Sequence, residues 1–147
     1  MPRLCRARFL LYTSRHNAPL AYNWKIKFNE SAKIPAFYNV FPELNHNEMD
    51  GFDVVPSTEN LAQAFHIIIL KDDNDNPRIL KRMEVLQRLY GDRGLAVSVV
   101  QLTGSSVWGR AFNSLILAEW AAYYVSQYYG TEPEQVPMVE EFKKMIA

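Results

Sequence analysis

The sequence predicts an α/β fold, a three-layer sandwich whose mainly parallel sheet is flanked by helices. Three observations carry this. Three short runs rich in aliphatic and β-branched residues, Arg8 to Thr13, Ala64 to Leu70 and Leu95 to Leu102, are each bounded by turn chemistry. The last two are near-continuously apolar, the pattern of strands covered on both faces, as in parallel sheets. Helical stretches lie between and after the runs, and strands alternating with helices make βαβ units with right-handed crossovers.

Each element has a local cause. After the first strand, Asn17 to Ala32 reads as a helix carrying Ala21, Trp24, Ile26 and Phe28. After the second, Asp75 or Asn76 can cap a helix, and Pro77 fits its first position, where no amide hydrogen is required. Ile79, Met83, Leu86 and Tyr90 recur along it as one apolar stripe, and Gly91 or Gly94 ends it. After the third strand, Ser105 or Ser106 can cap a helix that runs to about Tyr129 and stops at Gly130. A final helix follows Thr131-Glu-Pro133 and runs to the C-terminus. The segment from Lys33 to Pro56 reads as a long loop, because Pro35, Pro42 and Gly51 break its periodicity. Long loops inside compact domains are often functional; the plainer alternative is a lid or a packing loop rich in aromatics.

Composition narrows the function. The 147 residues make one domain, expected to span positions 1–147, and 48% apolar with 13% aromatic residues is ample for a core and excludes disorder. Sixteen basic residues balance sixteen acidic ones, so no bulk electrostatic footprint for nucleic acid or an acidic membrane is present. The single cysteine, Cys5, excludes an intramolecular disulfide and a cysteine-based zinc site. No apolar run reaches the roughly 18–20 residues that span a bilayer. The basic, briefly apolar start lacks a small-residue cleavage site and leads straight into a strand. It is not read as a signal peptide, and a cytoplasmic location is expected.

Pro42-Glu-Leu-Asn-His-Asn-Glu-Met49 resembles the glutamate motif of the bifunctional phosphoglucose/phosphomannose isomerase family. The approach to it, Trp24-Lys-Ile-Lys-Phe-Asn-Glu-Ser-Ala-Lys-Ile-Pro-Ala-Phe37, is similar too. So is the downstream order: a strand, an acidic turn with Asn76-Pro-Arg78, a helix, a strand and a long helix. The resemblance covers nearly the whole chain but only the C-terminal half of that family, whose members carry two sugar-isomerase (SIS) domains. It implies a SIS-like, flavodoxin-like fold and interconversion of glucose 6-phosphate or mannose 6-phosphate with fructose 6-phosphate. It implies no metal or organic cofactor, and a partner that is either a second copy in a homodimer or a separate N-terminal SIS domain. That domain supplies much of the family's phosphate-binding Ser/Thr loop.

Such an isomerisation moves a proton between C1 and C2 through a cis-enediol. It needs a carboxylate base over those carbons, an acid/base to open the ring, and a cation near the developing charge. Glu48 matches the family's base. His46 and Asn47 beside it are expected to meet the substrate and, with Asn45, to orient the carboxylate; Glu43 matches no family role. The bland alternative is a solvated loop glutamate. For ring opening the family uses a histidine downstream of the glutamate, contributed across the dimer interface. Only His66 lies downstream here, and its bland alternative is a core histidine. Where family members carry a histidine in the acidic turn this sequence has Asn76, which leaves His46 as the fallback; His16 has no comparable case.

Lys143 follows from geometry. At about 100° per residue, Val136, Val139, Phe142 and Ile146 form a stripe about 120° wide. Lys143 falls inside it and Lys144 outside. The family places a lysine here, near the reacting atoms. The alternative is a lysine snorkelling at a helix end. Gly104-Ser-Ser106 and Thr13-Ser14 are weaker candidates for holding an anion on backbone amides. The stretch Val107 to Tyr129 is apolar nearly all round, which suits either a central core helix or a face against a partner. Two functional classes therefore stand: an isomerase or isomerase half, and a non-catalytic sugar-phosphate-binding or structural module.

Overall fold

A computed structural model describes residues 8–147; Cys5 and the basic start of the chain lie outside them. A parallel sheet of β1 (Arg8–Ser14), β2 (Ala36–Phe41), β3 (Phe65–Lys71) and β4 (Ala96–Gln101) runs in the order β2-β1-β3-β4. Five helices accompany it: α1 (Ala18–Glu30), α2 (Glu59–Ala62), α3 (Pro77–Asp92), α4 (Val107–Tyr129) and α5 (Pro137–Ile146). The architecture is the α/β sandwich expected from the sequence.

Strand order decides which face each helix covers. The crossover from β1 through α1 to β2 runs one way along the sheet, and that from β3 through α3 to β4 runs the other. Right-handed crossovers in opposite directions put their helices on opposite faces. The core divides accordingly, with a period of two along each strand. Phe9, Leu11, Ile68 and Leu70 pack with Ala21, Trp24 and Phe28 of α1 and with Ala118 and Ala122 of α4. Leu10, Tyr12, Ile67 and Ile69 pack with Met83, Leu86 and Tyr90 of α3.

The three expected strands are present. The fourth, β2, lies inside the segment the sequence presents as a loop, and this corrects that reading. Its prolines bound the strand instead of interrupting it: Pro35 precedes Ala36, and Pro42 follows Phe41. An edge strand with only β1 beside it needs neither a continuous apolar run nor clean alternation. The rest of the segment holds two 3-10 turns, Glu43–Asn45 and Glu48–Phe52, anchored by buried Leu44 and Phe52. Phe52 meets the Tyr90 ring with centroids 5.4 Å apart. Arg93 Nε donates to Asp53 at 2.7 Å, and Arg82 donates to Asn45 at 3.3 Å, so the segment is pinned along α3.

The caps match their chemistry. Asn76 Oδ1 accepts from the Arg78 amide at 2.9 Å, and Ser106 Oγ accepts from the Gly109 amide at 3.0 Å. Gly130 ends α4 in the left-handed region at φ 66°. The last helix starts at Pro137, later than the Thr131-Glu-Pro133 cue. The Glu132 carboxylate accepts from the amides of Glu134 (2.9 Å) and Gln135 (2.6 Å), closing a turn there instead.

Helix α4 is not a core helix. Only a stripe of small residues, Ser114, Ala118, Ala122 and Ser126, is buried. Trp24 Nε1 donates to Ser114 Oγ at 2.9 Å, and Lys27 pairs with Glu119. The other faces of α4 expose Trp108, Phe112, Ile116 and Trp120, and no residue of α5 is buried. No helix among the described residues is long and apolar enough to cross a membrane.

Candidate active site

Glu48 opens the second 3-10 turn after β2 and is half-buried. Both of its carboxylate oxygens are bonded. Tyr12 Oη donates to Oε1 at 2.7 Å, and Asn39 Nδ2 donates to Oε2. Tyr12 and Asn39 are paired residues in the β1–β2 register, so the two side chains rise side by side. The Asn39 amide is itself oriented: its Oδ1 accepts from the Val40 amide at 2.8 Å, which turns the NH₂ toward Glu48.

Tyr12 is fully buried. Burial, the neighbouring Tyr90 and the Glu48 carboxylate together push its phenol far above the ordinary tyrosine value, so it stays protonated and can only donate to Glu48. Burial pushes Tyr90 up to about 12, and its buried hydroxyl lies close to Tyr12 without a well-formed hydrogen bond. The sequence reading expected Asn45, His46 and Asn47 to orient the carboxylate. Asn45 instead bonds Arg82 and the Met49 sulfur, and His46 and Asn47 are exposed on the rim beside Glu48. Tyr12 and Asn39 were missed. Tyr12 read as one more strand residue, and Asn39 sat in a strand that had not been recognised.

The remaining candidates lie elsewhere in a single chain. His66 is the second residue of β3, in register with Phe9, three residues before the Tyr12 row and on the α1 face of the sheet. Its ring sits 5.8 Å from that of Phe9, and Nε2 is 2.8 Å from Ser98 Oγ. Burial lowers its pKa. Lys143 does fall on the apolar stripe of α5, but that stripe is exposed, and its ammonium pairs with Glu140 at 2.7 Å. The chain therefore presents Glu48, His46 and Asn47 together, and His66 and Lys143 apart from them.

The two weaker anion candidates use their groups internally. Thr13 Oγ1 donates to the Leu70 carbonyl at 2.9 Å, and Ser14 Oγ accepts from the Asn17 amide at 3.3 Å. Gly104 is tucked against the first turn of α4: a Cβ there would lie 2.5 Å from the Arg110 nitrogen.

At the carboxyl ends of β1 and β3, where the strand order reverses, a second polar group collects. Asp72 accepts from the Asn74 amide (2.9 Å), Asn74 Nδ2 (2.8 Å) and Arg110 Nε (2.9 Å). Asp75 faces Asn17 Nδ2 at 3.4 Å. Open α/β sheets place ligands at such switch points, but here the buried carboxylates already have partners.

A family model, the bacterial phospho-glucose isomerase C-terminal SIS domain, matches residues 3–146. The bifunctional phosphoglucose/phosphomannose isomerase of Thermoplasma volcanium is 31% identical over 139 residues, covering 94% of this chain and 42% of the relative. That of Aquifex aeolicus is 27% identical, covering 93% and 42%. The chain thus spans less than half the length of these relatives. The C-terminal domain of glucosamine-fructose-6-phosphate aminotransferase from Francisella tularensis superposes with a TM-score of 0.68 at 15% identity, covering 90% of this chain and 39% of that one, a likeness of fold alone.

Proposed function

Because the chain belongs to the family of bacterial phospho-glucose isomerase C-terminal SIS domains, we propose that it supplies the catalytic base of an aldose–ketose isomerase acting on hexose 6-phosphates. The observation that carries this reading is Glu48, half-buried in the family's motif with both carboxylate oxygens fixed. Ring-opened glucose 6-phosphate or mannose 6-phosphate presents C1 and C2 to Glu48. The carboxylate takes the C2 proton, the electron pair forms the C1–C2 double bond, and the C1 carbonyl oxygen gains a proton. The carboxyl then returns its proton to C1, and the C2 hydroxyl loses its own to become the carbonyl of fructose 6-phosphate. Glucose and mannose 6-phosphates differ at C2, which is planar in the enediol, so one base serves both.

His46 and Asn47, on the rim, contact the sugar phosphate. His66 as ring-opening group and Lys143 as the cation near the enediol oxygens require a neighbouring chain, since neither approaches Glu48 within one copy. That chain is a second copy or an N-terminal SIS domain, and the latter is supported by the 42% of the relatives that this chain spans. The chemistry calls on no metal or organic cofactor, and the substrates belong to cytoplasmic sugar metabolism.

The test is Glu48→Gln in the assembly that contains the N-terminal SIS domain. Loss of a general base costs on the order of 10² to 10⁴ in kcat, while calorimetric binding of the sugar phosphate survives, because phosphate contacts come from the other domain. A Glu48→Gln protein within a few-fold of the parent would clear Glu48 of the role. The isolated chain should turn over little, since positioning is lost without the phosphate loop. The engagement of His66 with Ser98 and of Lys143 with Glu140 favours a second reading, a non-catalytic sugar-phosphate-binding or structural module, and an inactive assembly with intact binding would select it.

A further inference from the structure

A carboxylate that shuttles a proton between two adjacent carbons must keep one orientation through both transfers. A glutamate has three rotatable bonds, and one on a short 3-10 turn is not held by its own backbone. Glu48 is held from the sheet instead. Resting on the reading of Glu48 as the base, we infer that Tyr12 and Asn39 are its positioning residues, a two-point clamp created by the β1–β2 register.

Each part of the clamp is itself fixed. The Tyr12 ring is locked in the core against Phe41, with centroids 6.2 Å apart, and is fully buried. Its phenol remains a donor across the working pH range. Asn39 is turned by the Val40 amide, so that its NH₂ and not its carbonyl meets Glu48. The two donors bind different oxygens, which fixes the rotation of the carboxylate plane. One donor would leave a swivel. Each oxygen keeps a second lone pair, so the clamp leaves the base free to take a proton. The geometry also explains why the base follows β2: a one-residue slip of β2 against β1 would turn Asn39 to the other face of the sheet.

The two-domain assembly carrying Tyr12→Phe tests this, because Phe keeps the ring in the core and removes only the donor. The expected result is a fall in kcat of roughly 10- to 100-fold from misaimed approach, with KM within a few-fold and the melting temperature near that of the parent. Asn39→Asp, on the edge strand, keeps the acceptor for Val40 and sets a carboxylate against Glu48. It should lower kcat further. Parent-like kcat in both variants, with Glu48→Gln inactive, would overturn the clamp and leave the base. If Glu48→Gln itself is active, the reading of Glu48 falls and the clamp falls with it. A drop in melting temperature with a parent-like kcat per folded molecule would assign Tyr12 and Asn39 to structure alone.

Discussion

Asp72 lies one position beyond β3, is 4% exposed, and is nevertheless charged. Burial alone would raise its carboxyl, but the two hydrogen bonds from Asn74 and the Arg110 guanidinium outweigh that and hold it below the ordinary carboxylate value. Removing one partner of a buried pair leaves an uncompensated charge. Arg110→Met should therefore lose about 3 kcal/mol of unfolding free energy near neutral pH. The sign follows from the lowered pKa. The stabilisation is present above 3.8, the unfolded value, and is lost as pH falls through the depressed folded value. Urea titrations of parent and variant should accordingly converge in strong acid; equal stability at pH 7 would show the pair to be idle. His66 gives a second pH window. Burial depresses its folded pKa below 6.5, so the stability it permits is complete above 6.5 and declines as pH falls below it. His66→Gln should flatten the loss between about pH 7 and 5, and an unchanged slope would show that the ring is freely solvated. Neither setting was legible in the sequence, where Asp72 is one acid of a polar run and His66 one of three histidines.

Among the elements, helices with a chemical start and stop were the most legible. Asn76 before Pro77, Ser106 before Val107, and Gly130 after Tyr129 are local signals acting over one turn, and the structure uses all three. Ser106→Ala should cost about 1 kcal/mol through the lost cap, read as a lower midpoint in thermal denaturation. The buried face of α4 carries a larger penalty. Ala122 is fully buried where α4 packs over the sheet beside α1, so Ala122→Leu should cost about 1–3 kcal/mol by overpacking. A parent-like midpoint would mean that α4 can lift off without loss. Strand β2 was not legible, because its signal is a neighbour. Ala36-Phe-Tyr-Asn-Val-Phe41 has the hydrogen bonds of β1 to satisfy its backbone, and nothing within those six residues announces this.

The molecule as a whole leaves much apolar surface in water. Trp120 stacks on Tyr124 with centroids 5.9 Å apart on the outer side of α4, both exposed, and the stripe of α5 carries Phe142 at 59% exposure. Exposed apolar surface of this extent marks an interaction site. We expect the chain to self-associate or to bind an N-terminal SIS domain through it. Sedimentation should show concentration-dependent association that Trp120→Glu with Phe142→Glu abolishes; a clean monomer at high concentration would count against this. The sequence by itself determined what depends on near neighbours in the chain: the β-α alternation, the caps, the apolar composition of α4, and the motif around Glu48. Only the tertiary structure decided which apolar faces are buried and what grips the base. Burial depends on which surfaces meet, and here just a small-residue stripe of α4 meets the body of the domain. The grip on Glu48 comes from Tyr12, 36 residues away, and from Asn39, nine residues away, both on strands whose register is set by pairing across the sheet.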